Sequence, residues 1–140
     1  MIKAVTNKSA YNVEALSTIL CLAYCVTLLL GYMSFSKIRE YLYFVYLYPW
    51  FFVVMLIISV INLTLLNINS VKGLAYRVFN LRLISLFWLI ISLSFTIYNL
   101  NTSSVTYFIL SVFTLVNSLE LAETMEFERS LHLNEDGNNE

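Results

Sequence analysis

The sequence predicts an all-α polytopic membrane protein with four transmembrane helices, both termini in the cytoplasm and a cytoplasmic extension of the fourth helix. Three observations lead there. The first is composition: 59% of residues are hydrophobic, 12% are charged, and mean hydropathy is +0.75. A soluble domain carries about 25% charged residues, so this chain has too little polar surface to cover a globule in water. The second is clustering of the charges. No Lys, Arg, Asp or Glu occurs from Ala15 to Ser36, from Tyr41 to Val71, or from Leu83 to Leu119. The third is their unequal division. In a four-span chain Lys3, Lys8, Lys72, Arg77, Arg82 and Arg129 fall on one side, and only Lys37 and Arg39 on the other. Basic residues near span ends favour the cytoplasm, which puts both termini inside.

Residues 1–14 read as a cytoplasmic segment. Lys3 and Lys8 resemble a basic leader, but Glu14 edges a long apolar run and GYMSFS has no small-residue exit. Span one, about 15–35, is therefore expected to stay as an anchor. A helix needs roughly 20 apolar residues to cross the hydrocarbon, and this run holds one crossing.

The next stretch, YLYFVYLYPWFF, is not a strand. Its alternation breaks in the middle, and an open strand in lipid leaves backbone donors unsatisfied. Helical spacing suits it better: Ile38, Tyr41, Leu42 and Val45 share one face. Pro49 has no N–H to lose in the first turn of a helix, so span two is placed at about 49–67. Residues 38–48 then lie in the outer headgroup layer, with Tyr41, Tyr43, Tyr46, Tyr48 and Trp50 as interface anchors. The alternative is one long second helix kinked at Pro49.

On the inner side, Val71, Leu74, Ala75, Val78 and Phe79 follow helical spacing, flanked by Lys72, Arg77 and Arg82. These three basic residues are assigned to lipid headgroups, at about 1 kcal/mol each near an anionic surface. The plainer reading is an ordinary topogenic loop merging into span three. Spans three and four, about 83–100 and 104–122, are separated by NLNTSS, which implies a tight helical hairpin. Beyond span four, Ala, Glu, Met and Leu favour helix to about Leu133. Residues 134–140 read as a disordered acidic tail. The membrane domain thus runs 15–133.

Polar residues inside spans are the natural carriers of specificity. Ser85, Ser92, Thr96 and Asn99 form one stripe on span three, Ser111, Thr114 and Ser118 another on span four, and Asn62 lies in span two. They are candidates for helix packing or for lining a pore. Glu120, Glu123, Glu126 and Glu128, opposed only by Arg129, follow span four and are candidates for binding a protein partner. Glu120 also admits a second role, as a titratable acid near an inner mouth.

Chemistry is sparse. Cys21 and Cys25 have a C-x3-C spacing with no His or carboxylate near them, whereas zinc wants four ligands. They read as small buried residues. No phosphate loop, nucleophile elbow or H-E-x-x-H is present. The expectation is no enzyme, no catalytic residue, no metal, no cofactor and no nucleic acid. Expected partners are membrane lipids, further copies of the chain and a cytoplasmic protein. The leading reading is a small oligomeric scaffold, sensor or anchor in a bacterial inner membrane, coupled to that protein through the acidic C-terminal helix. The alternative is a pore, as in holin-like or suicide effector channels. Twelve asparagines among abundant Ile, Leu, Ser and Tyr suggest an AT-rich coding sequence of the kind found in phage or antiviral-defence settings.

Overall fold

The structure is a computed structural model. It describes residues 2–34, 49–68, 70–98 and 102–137, with side chains described within 11–30, 50–68, 70–97 and 104–130. The described residues are all-helical: α1 (Ile2–Ser34), α2 (Pro49–Leu65), α3 (Val71–Tyr98) and α4 (Thr102–Gly137). The segment 38–48, with Tyr41, Tyr43, Tyr46 and Tyr48, lies outside the described residues. Pro49 opens α2, where its fixed φ and missing N–H suit a first turn. The turn into α3 is closed by Ile68 N–H donating to Leu65 O at 2.9 Å. Ser70 then caps α3: its Oγ accepts from Gly73 N–H at 3.1 Å, and its carbonyl accepts from Leu74 N–H at 2.9 Å.

Three helices contain segments long and apolar enough to cross a membrane: Tyr11–Leu30, Val71–Ile97 and Ser104–Ser130. The apolar part of α2, Trp50–Leu65, is shorter. Two helices begin earlier than the sequence suggested. α1 starts at Ile2 rather than near residue 15, and α3 starts at Val71, so the inner amphipathic piece is its first turns.

Side-chain pairs fix the relative directions. Glu14 meets Arg77, and ten residues along both helices Tyr24 meets Phe87, so α1 and α3 run parallel. Ser17 meets Thr114 while Tyr24 meets Tyr107, so α4 runs against α1. Ser85 meets Ser111 and Ser92 meets Ser104, so α3 and α4 form an antiparallel hairpin. Tyr11 meets Asn67 and Thr18 meets Asn62, so α2 runs against α1. The result is an up-down-up-down bundle.

The bundle has two apolar layers. One gathers Cys21, Cys25, Phe52, Met55, Ile84, Phe87, Trp88 and Ile91, with Tyr24, Phe51, Phe95 and Tyr107 packed around it. The rings stack and tilt against each other: Trp88 lies on Tyr107 with centroids 5.7 Å apart, and Phe51 on Phe87 at 5.5 Å. The other layer joins Leu74, Val78 and Leu81 of α3 to Leu121, Ala122 and Met125 of α4. Outward, every helix shows large apolar side chains, among them Ile19, Ile57, Leu93 and Phe108. Inward, Ser, Thr and Asn accompany the apolar layers. A water-soluble bundle would not present so many large apolar side chains outward on every helix. In hydrocarbon, small hydroxylated residues suit close helix contacts.

Candidate functional site

At the end of the bundle where α1 and α3 rise in parallel, an ion pair is enclosed by protein. Glu14 is 1% exposed and Arg77 is 4% exposed. Arg77 Nε donates to Glu14 Oε1 at 3.0 Å, and Arg77 Nη2 donates to Glu14 Oε2, a bidentate fork. Asn62 of α2, fully buried, adds its Nδ2 to the same Oε1 at 3.3 Å and to Thr18 Oγ1 at 3.0 Å. Thr18 in turn donates to the carbonyl of Glu14 at 2.8 Å. One turn above Glu14, Ser17 and Thr114 share a 2.7 Å hydrogen bond. Thr114 already donates to Leu110 O, so Ser17 is the donor in that contact.

The antiparallel step from Ser17–Thr114 puts Asn117, one turn further along α4, level with Glu14. All four helices therefore contribute a polar side chain to this layer: Glu14, Asn62, Arg77 and Asn117. Among the described residues, two buried atoms of the layer lack a hydrogen-bond partner, Asn62 Oδ1 and Asn117 Nδ2.

This placement corrects the sequence reading of Arg77, which expected it among lipid headgroups beside Lys72 and Arg82. Those two are exposed, but Arg77 is turned inward onto Glu14. The physical reason is a small rotation of the buried face. Leu74, Arg77, Val78 and Leu81 form the inner stripe of α3, whereas Ala75 and Phe79 are exposed. The signal was present further along: Ile84, Trp88 and Ile91 continue the stripe at helical spacing and would have brought Arg77 inside. Likewise Glu14 opens a buried line on α1 through Ser17, Thr18, Cys21 and Cys25.

The other candidates separate clearly. Ser85 donates to Ser111 O at 2.9 Å, and Ser92 to Ser104 O at 2.7 Å, so both are joined to α4. Ser118 is buried and donates to Leu115 O. Thr96 is exposed and donates to Ser92 O. Asn99 lies outside the described residues. Trp50 is 77% exposed at the start of α2. Glu120, Glu123, Glu126 and Arg129 are exposed on α4, and Glu128 is half-buried.

Fold and site together define a helical bundle with an enclosed ion pair and three helices of membrane-crossing length, consistent with an integral membrane protein. No family model, curated protein or solved structure matches the chain.

Proposed function

We propose that this chain is a four-span, N-in/C-in membrane module that anchors a cytoplasmic protein partner through the acidic C-terminal part of α4. The observation that carries the reading is that α4 continues to Gly137, beyond Met125, which packs on the first turns of α3, and bears exposed carboxylates as it does so. On this stretch Glu126 and Arg129 are exposed, and just before it Glu120 and Glu123 are exposed. A carboxylate-rich helix leaving the membrane repels anionic lipid and suits a basic protein surface. The interior favours the anchor over the pore. Ser85 and Ser92 are engaged in joining α3 to α4, and rings from all four helices fill the layer above the ion pair.

The test pairs two measurements on the full chain and on a variant lacking 126–140. The expected result is silent liposomes in a dye-release assay for both proteins, and co-purification of a soluble partner with the full chain only. Dye release by the full chain, abolished by Ser92→Leu, would replace the anchor with the pore.

A further inference from the structure

We propose that Cys21, Cys25 and Met55 form a site for a soft monovalent metal ion of the copper(I) class. Cys21 and Cys25 lie one turn apart on α1, and both are fully buried. The antiparallel register does the rest. Asn62 meets Thr18, so two turns onward along α1 and two turns back along α2 Met55 falls level with Cys25. Met55 is 4% exposed and belongs to the same buried cluster as the two cysteines. Three sulfur donors thus share one enclosed layer.

The donor set selects the ion. Soft thiol and thioether ligands favour copper(I), whereas hard cations want oxygen. Structural zinc wants four ligands, and among the described residues no three His, Cys, Asp or Glu gather as a ligand set. A disulfide is the competing use of two neighbouring thiols, and the helix opposes it. Side chains one turn apart have Cβ atoms about 5–6 Å apart, whereas a disulfide needs about 3.5–4.5 Å. Both cysteines are free.

The ion brings one positive charge, both thiols release their protons to solution and bind as thiolates, and the thioether binds neutral, so the enclosed complex carries one net negative charge. The Trp88 and Tyr24 ring centroids lie 5.1 Å apart, Trp88 belongs to the same buried cluster as Cys25, and its Nε1 is buried with no hydrogen-bond partner. An anionic sulfur at this level is the kind of group that indole N–H lacks. The sequence reading missed the site because Met55 is 30 residues from Cys25 and thioethers leave no spacing motif.

The experiment uses the full chain, purified in detergent under anaerobic, reducing conditions and titrated with copper(I) against a colorimetric chelator. One ion per chain is expected, with sulfur-only coordination by X-ray absorption. Cys21→Ser and Cys25→Ser should each weaken binding by at least about tenfold, and the near-isosteric Met55→Leu by about tenfold, the scale of losing a contact that shapes a metal site. Circular dichroism and elution profile establish that each variant is folded. Should the serine variants fail to fold, X-ray absorption of the ion on the unaltered chain decides. Nitrogen or oxygen coordination, absence of binding, or binding indifferent to all three substitutions overturns the proposal.

Discussion

Arg77 reaches Glu14 with two nitrogens, and both side chains are shut away from solvent. Removing water from two charges costs several kcal/mol per ion, recovered only when geometry is good and further hydrogen bonds complete the shells. Asn62 supplies one such bond to the carboxylate. Breaking one member strands the other, so Glu14→Leu or Arg77→Met alone should destabilise the fold by about 3–5 kcal/mol. The double change Glu14→Leu with Arg77→Met removes both charges, and should recover most of that loss. Unfolding in a denaturing detergent titration, followed by tryptophan fluorescence, measures the cycle. Full additivity of the two single losses would show that the pair is not coupled. The two residues are 63 positions apart, and this explains their poor legibility in the sequence. A count of basic residues treats every arginine as facing headgroups, and it has no means of detecting a carboxylate on another helix. The serine and threonine stripes were legible because each lies within one helix, where the 3.6-residue period governs spacing. Their partners across the hairpin, Ser111 for Ser85 and Ser104 for Ser92, became evident only once the helices were packed.

At the level of elements, the α2–α3 turn is tightly drawn. A Cβ on Gly73 would stand 2.7 Å from Ile68 Cγ2, 3.1 Å from Ile68 O and 3.2 Å from Ser70 Oγ. The last two are the turn's own backbone and the cap of α3, which cannot give way freely. Gly73→Ala should therefore cost about 1–3 kcal/mol, the range for overfilling a packed position, despite alanine's better helix propensity. A thermal melt of the variant in detergent checks this, and a stability equal to or above that of the parent chain would refute it. Helix existence was legible from runs without charge, and Pro49 marked the start of α2. Helix ends were less so. α1 and α3 extend past their apolar runs into charged sequence, because once a helix is nucleated each further residue adds a hydrogen bond at little cost. α3 gains in addition from Leu74, Val78 and Leu81 packing on α4.

For the molecule as a whole, enclosing Arg77 changes the basis of the proposed orientation without reversing it. Glu14 neutralises that charge, leaving Lys3, Lys8, Lys72, Arg82 and Arg129 against Lys37 and Arg39. Both native cysteines are fully buried, so the chain is its own silent background for labelling. An impermeant maleimide should leave intact cells unlabelled, and a Glu140→Cys variant should react only after lysis. Labelling of Glu140→Cys in intact cells would reverse the orientation. The short second helix carries a further consequence. Its 17 residues span only about 25 Å at 1.5 Å per residue, against a hydrocarbon slab of about 30 Å. As a membrane span, α2 leaves a mismatch of a few ångströms that the surrounding lipid must absorb by thinning, at fractions of a kcal/mol per ångström. Partitioning and assembly of this protein should accordingly respond to acyl-chain length, with shorter-chain lipids preferred.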